Sequence, residues 1–213
     1  MRVLSLDSAS GACAVCVWQD GRVLAQAEER MERGQDARLI PLVLEVMAKA
    51  KTDFTQLDRI AVTRGPGSFT GLRIGLAAAR GIGMAAEKPV IGINRFTIFR
   101  EQNLDKNLFI ILESKRQELF CQFYPAQTNA AEPSMMLPEE IVTFARTQSN
   151  LTLAGDALHH LRQLLPSMPY AEKVEPEVIT ASILASRAAL GDPDFLPRPL
   201  YLRAPDVTML AAG

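Results

Sequence analysis

Cysteine is scarce in this chain and histidine scarcer. Three cysteines (Cys13, Cys16, Cys121) and two histidines (His159, His160) are all that 213 residues offer. An odd, low cysteine count is poor material for a disulfide framework and suits a reducing compartment. Cys13 and Cys16 form a C-x-x-C, but Ala12 to Val17 reads as a strand, where residues three apart face opposite ways. The adjacent histidines fall in an expected helix about 100° apart, so no metal site is predicted from them. Charge of either sign is not in excess: 23 Lys plus Arg against 24 Asp plus Glu, with no long basic run. That argues against a freestanding nucleic-acid binder, which needs a basic face. No apolar stretch of roughly 18 residues exists, so no transmembrane helix is predicted. The apolar start, Met1 to Leu6, ends at Asp7, far short of a signal peptide. The expectation is a cytoplasmic protein without membrane contact.

What is present is ample apolar material, 48% of residues, with 22% charged. Such a chain can bury a core without disulfides or metals, as one domain or two small ones. Residues 3–6, 12–18 and 22–27 read as strands, with Asp20-Gly21 a hairpin turn. A helix follows over 36–51, with Asp36 as N-cap and Pro41 early in it. Strands at 60–63 and 90–93 flank a glycine-rich loop and a helix over 71–87. This is a βββαβα plan with a mixed sheet, an α/β architecture. Beyond it, 108–112 and 119–124 read as paired strands, 125–138 as a Pro-containing loop and 139–147 as a helix. Residues 151–154 read as a strand, 157–165 and 182–190 as helices, and 200–202 as an extended piece. Two related halves are expected to meet near residue 95, giving units 1–95 and 96–213, with the tail free to pack back on the first.

Two helices carry more apolar residues than one buried face needs. In 36–51, Arg38, Glu45 and Lys49 share one stripe and most of the remainder is aliphatic. In 71–87, the interior charges are Arg73 and Arg80, while Gly71, Gly75, Ala79 and Gly83 recur every four residues. Interior helical glycines cost about 0.5–1 kcal/mol each, so a close approach must compensate. Either the groove packs on the chain's own sheet, or both helices are sandwiched against a partner; the second is favoured, since a large exposed apolar patch signals an interface.

Two segments invite a chemical reading. Asp7 ends the first strand and Ser8 to Gly11 follow, which resembles the first phosphate loop of the actin-like ATPase and sugar kinase superfamily. The plain alternative is an Asx-type turn. Gly65-Pro66-Gly67-Ser68-Phe69-Thr70-Gly71 could converge backbone amides before a helix N-terminus and hold an anion. It is neither a Walker motif nor G-x-G-x-x-G. The plain alternative is a structural loop capped by Ser68 or Thr70.

The run Gly65 to Ala77, GPGSFTGLRIGLA, with Arg80-Gly81 beyond it, resembles the TsaB (YeaZ) family of tRNA threonylcarbamoyladenosine biosynthesis proteins. Asp7-Ser8, Leu39-Ile40-Pro41, Glu113 to Glu118 and Pro199-Leu200-Tyr201-Leu202-Arg203 support it, and the likeness thins from 125 to 195. The resemblance implies two actin-like (ribonuclease H-like) subdomains, the second smaller and degenerate. It implies a non-catalytic scaffold that activates a larger paralogue, TsaD, in transferring threonylcarbamoyl to the adenosine beside the anticodon. A TsaE-type ATPase completes the system, tRNA is met only through the complex, and the chain also pairs with itself. No cofactor is expected on the lone chain; ATP and Mg belong to the complex. The implied interface is Leu39, Leu42, Val43, Val46, Gly71, Leu72, Gly75, Leu76, Ala79 and Gly83. The implied vestigial anion or nucleotide site is Asp7, Ser8, Gly65, Gly67 and Ser68. Departures from the family pattern, Ser8 for Thr, Gln35-Asp36 for a His-Ser pair and Glu113 for Asp, and the lack of the paralogue's H-x-x-x-H, fit a chain without catalysis. The alternative is a small ATP-dependent phosphotransferase in which Asp7 helps hold Mg2+. It needs a second phosphate loop, yet Glu113-Ser114-Lys115 has no glycine.

Overall fold

The computed structural model describes residues 1–101, 107–126, 129–161, 164, 171–174, 180–190 and 196–202. Its first strands are β1 (Arg2–Asp7), β2 (Ala12–Gln19) and β3 (Arg22–Arg30), an antiparallel meander. The β2–β3 hairpin turns at Asp20 (φ 46°) and Gly21 (φ 87°), the pair of positive φ values that a two-residue turn with the twist of the strands requires. Helix α1 (Gln35–Lys49) leads to β4 (Arg59–Gly65), then α2 (Phe69–Ala86) to β5 (Val90–Asn94), both strands parallel to β1. The sheet order is β3-β2-β1-β4-β5.

After α3 (Phe96–Glu101) the plan repeats. Strands β6 (Asn107–Leu112), β7 (Leu119–Tyr124) and β8 (Ser134–Met136) form a second meander. Helix α4 (Pro138–Arg146) leads to β9 (Leu151–Ala154), and β10 (Ala171–Val174) and α5 (Thr180–Leu190) complete the half. The order β8-β7-β6-β9-β10 reproduces the first sheet strand for strand. Where the first half has the long α2, the described residues of the second show a 3-10 turn at Leu158–Leu161. The helix expected over 157–165 lies partly outside the described residues, as does Arg203. Strands β8 and β10 and helix α3 add to the elements the sequence pattern gives.

Alternation explains the layering. On β1 and β2, Leu4, Leu6, Cys13, Val15 and Val17 face α1 and α2. Val3, Ala14 and Cys16 face the other way, where α5 supplies Ala181, Leu184, Ala185 and Ala188. Cys13 and Cys16 therefore lie on opposite faces, both buried, and share no site. Helix α5 belongs to the second half by sequence but packs on the first sheet, while α3 packs against β6. Ser5 Oγ donates to the Ala181 carbonyl and the Arg59 guanidinium donates to the Ala188 carbonyl (2.6 Å), tying α5 down at both ends.

Two details of α1 differ from expectation. Its N-cap is Gly34 in a left-handed conformation, and Asp36 sits in the first turn instead, where a carboxylate still complements the helix dipole. Pro41 lies in the second turn, not the first, so it cannot give an N–H to the Ala37 carbonyl; both residues are exposed to water.

The implied interface positions also need correction. Leu39, Leu42, Val43, Val46, Leu72, Leu76 and Ala79 are each 3% exposed or less, and Gly71, Gly75 and Gly83 are buried. All lie under α1 and α2 against the chain's own sheet. A Cβ on Gly71 would stand 2.1 Å from the Ser8 carbonyl oxygen, and one on Gly83 would stand 2.4 Å from Val90 Cγ2. The small-residue ridge exists so that α2 can settle on β1, β4 and β5 (the first of the two readings). The faces available to another molecule are the opposite ones.

Candidate functional site

The ends of β1 and β4 place their following loops against one another. Asp7 is fully buried; its carboxylate accepts the Ala9 N–H (2.9 Å) and the Ser10 hydroxyl. This is an Asx-type turn, and Asp7 is committed to it. Ser8 Oγ donates to the Gly71 carbonyl (2.8 Å). In the glycine-rich loop, the Ser68 N–H donates to the Ala9 carbonyl (3.0 Å), and Ser68 Oγ caps α2 by accepting the Gly71 N–H (3.3 Å). Gly67 is required by proximity, since its Cβ would lie 2.7 Å from the Ala9 carbonyl oxygen. Gly65, at φ 120°, faces the Leu200 carbonyl, while its own carbonyl accepts the Arg95 N–H (2.8 Å). The amides at Ser68 and Gly71 thus bond protein, and of the five residues of the implied anion site only Ser68 lines the cleft described next.

That cleft lies between the two sheets, bounded by Ala9, Ser10, Gly11 and Ser68 on one side and Glu113, Ser114, Lys115 and Asp156 on the other, with Arg95 at its floor. Its volume is about 40 Å³, room for a few waters at roughly 10–15 Å³ each. Small-molecule pockets run to about 300–1,000 Å³.

Arg95 explains why the cleft is narrow. It follows β5, is 4% exposed, and spans the two halves: one guanidinium nitrogen reaches the Pro66 carbonyl (3.1 Å), another reaches Asp156 Oδ2 (2.6 Å). The other Asp156 oxygen accepts the Glu113 N–H (2.8 Å). Gly155, at φ 132°, lets this turn lie on β6, where a Cβ would meet the Ile111 carbonyl at 1.8 Å. The sequence marks Gly155-Asp156 and Glu113 as loop positions, but nothing in the local pattern marks Arg95.

The two histidines are brought together after all. Their rings lie 4.1 Å apart, centroid to centroid. His160 Nε2 is 2.7 Å and His159 Nε2 3.8 Å from Glu113 Oε2. Backbone azimuth separates adjacent helical residues, but here side-chain torsions on a 3-10 turn swing both rings to one carboxylate. Burial works to raise the Glu113 carboxyl, yet the hydrogen bonds from His160 and from the Lys115 N–H outweigh it and hold it below the usual range. The exclusion of a shared site, argued from spacing alone, does not hold.

The family model for TsaD, tRNA N6-adenosine threonylcarbamoyltransferase, matches residues 28–179. The tRNA threonylcarbamoyladenosine biosynthesis protein TsaB of Escherichia coli is 33% identical over 150 residues, 67% of this chain and 64% of that protein. The TsaB of Haemophilus influenzae is 29% identical over 56% of this chain and 52% of its own length. The chain thus spans between half and two thirds of these curated relatives. Among solved structures, YeaZ from Pseudomonas aeruginosa superposes with TM-score 0.70 at 22% identity, covering 94% of this chain and 99% of that one. A second Pseudomonas aeruginosa structure, described as similar to peptidase YEAZ, gives 0.74 at 24% identity over 95% and 99%. The fold is accordingly the α/β actin-like (ribonuclease H-like) one, with two subdomains.

Proposed function

The chain belongs to the TsaB (YeaZ) family, and on that premise we propose that it acts in tRNA threonylcarbamoyladenosine biosynthesis as a non-catalytic subunit. It docks on a TsaD-type transferase through the outer face of α1 and α2. The observation that carries this reading is an apolar surface. On α1, Ala37, Ile40, Leu44 and Ala48 are exposed at helical spacing, Ile40 by 42% and Leu44 by 54%. On α2, Ala77, Gly81, Met84 and Ala85 are exposed, Met84 by 82%. The two helices lie side by side on one face of the first sheet. A surface of this kind suits an interface of about 800 Å² per partner, with Glu45, Lys49 and Arg73 as its polar rim.

Docking would stabilise the transferase in its competent conformation, a shift of populations rather than chemistry. The same face serves for self-association when the paralogue is absent. A TsaE-type ATPase supplies nucleotide chemistry, ATP and Mg stay with those proteins, and tRNA is met through the assembly, in the cytoplasm. The tie of Asp7 into its own turn supports this division of labour, since a phosphotransferase would need that carboxylate free to hold Mg2+.

The test is co-purification with the TsaD-type paralogue and reconstituted tRNA modification. Leu44→Asp and Met84→Glu should abolish complex and activity while the circular dichroism spectrum stays native. Leu42→Asp and Ala79→Glu, by contrast, should fail to fold, since both side chains are buried. Undiminished complex with the two outer variants would refute the docking face; micromolar Mg-ATP binding by the lone chain would favour the phosphotransferase.

A further inference from the structure

We propose that Glu113, His159 and His160 bind a divalent first-row transition ion of the Zn2+ class at the rim of the cleft. One ligand atom from each residue lies within 4.8 Å of the other two. The two Nε2 atoms stand 2.7 and 3.8 Å from the same carboxylate oxygen, Glu113 Oε2. Two ligand atoms on one tetrahedral zinc, with bonds of about 2.0–2.2 Å, are about 3.3–3.5 Å apart. The two separations from the carboxylate bracket that value, so small side-chain shifts bring each imidazole to a distance an ion would bridge.

The surrounding hydrogen bonds point the ligand atoms the right way. His159 Nδ1 lies 3.2 Å from the Asp156 carbonyl oxygen. A carbonyl only accepts, so Nδ1 carries the proton and Nε2 keeps its lone pair, turned toward Glu113. Metal-binding histidines are oriented by this kind of outer bond. Asp156 is itself held by Arg95 and by the Glu113 N–H, and Glu113 Oε1 accepts the Lys115 N–H (2.7 Å). The carboxylate and the first imidazole are therefore set in place before any ion arrives. His160 Nε2 faces the Glu113 carboxylate (2.7 Å) and so bears the ring N–H in the free protein; to take an ion there the neutral ring shifts that proton to Nδ1, which frees the Nε2 lone pair.

Two imidazoles with one carboxylate favour Zn2+, Co2+ or Ni2+ over Mg2+ and Ca2+. Both imidazoles are more than a third exposed, which gives the ion a path and leaves water to complete its coordination. A bound ion would pin the β6–β7 turn to the turn after β9.

The test uses the full chain without an affinity tag, stripped with EDTA. Calorimetric titration with Zn2+ should show one ion per chain, Co2+ should develop tetrahedral visible absorption, and Zn2+ should raise Tm. His159→Gln and His160→Gln should each weaken binding by about tenfold or more, and the double variant should abolish binding, absorption and the rise in Tm. Both side chains are exposed, so the double variant keeps its native circular dichroism spectrum. No binding to the native chain, or equal binding to the double variant, would overturn the proposal.

Discussion

At the scale of single residues, burial decides reactivity more than residue identity does. Desolvation raises the Cys13 thiol to about 11 and the Cys16 and Cys121 thiols to about 12. Only a thiolate attacks, so at pH 8 the native protein should leave all three cysteines unmodified by an alkylating reagent, and denaturant should expose all three to labelling. Fast labelling of any cysteine in the native state would contradict the burial. The same shifts give stability an alkaline edge. The unfolded chain releases these protons near 9.0, the native chain nearer 11 to 12, so their contribution is complete below pH 9 and lost as pH rises through the native values. Melts between pH 8 and 11 should show Tm falling with pH, more steeply than in a Cys16→Ala variant. Arg95 shows the opposite use of burial: a nearly buried cation held by one carboxylate and one carbonyl, whose role the local sequence could not announce because its partner lies 61 residues on.

At the scale of elements, glycine spacing in α2 reports contact within the molecule. Gly71→Ala would press a methyl against the Ser8 backbone, which cannot retreat without breaking the Asp7 turn. Overpacking of that kind costs about 1–3 kcal/mol. Gly81 lies on the same helix with open space around it, so Gly81→Ala should stabilise by about 0.5–1 kcal/mol. Urea unfolding of the two variants checks both signs, and equal effects would mean the ridge is not in contact. The contrast also shows what was legible in the sequence. The first five strands and both helices could be read because alternation, Asp20-Gly21 and the glycine loop mark them locally. Which face of α1 and α2 is inward could not be read from apolar count alone: Leu39, Leu42, Val43 and Val46 are consumed by the chain's own sheet, and the outward residues are Ile40, Leu44 and Met84. Strand β8 was hidden because three residues at a sheet edge carry too short a pattern. The Glu113–His160 contact was hidden because it joins residues 47 apart.

At the scale of the whole molecule, the two halves are not independent, although their strand plans match. One cluster of buried side chains runs from Val3, Ala61 and Ile93 of the first sheet, through Phe96, Ile98 and Phe99 of α3, to Leu108, Ile110 and Leu112 of the second. The exchange of helices makes this core continuous: α3 leaves the first half to cover β6, and α5 returns from the second to cover β1, β2 and β4. Removing α5 would expose the underside of the first sheet, cost the Arg59 guanidinium its bond to the Ala188 carbonyl and leave the Ser5 hydroxyl only the longer bond to the Cys16 carbonyl (3.3 Å). Burial of Leu184 with the methyls of Ala181, Ala185 and Ala188 contributes about 4–5 kcal/mol. That is comparable with the whole net stability of a domain, about 5–15 kcal/mol. The full chain should therefore unfold in a single transition, with calorimetric and van't Hoff enthalpies equal. A chain ending at residue 179 should lose cooperative melting in both halves, although every strand of the first sheet is still present. Two separate transitions in the full chain, or a native-like melt of the shortened one, would mean that each half owns its core. The shared cluster also bears on docking: it joins the sheet that α1 and α2 cover to the second sheet, so a partner gripping the outer face of those helices would position the second half, with its histidine pair, by a contact that half does not make.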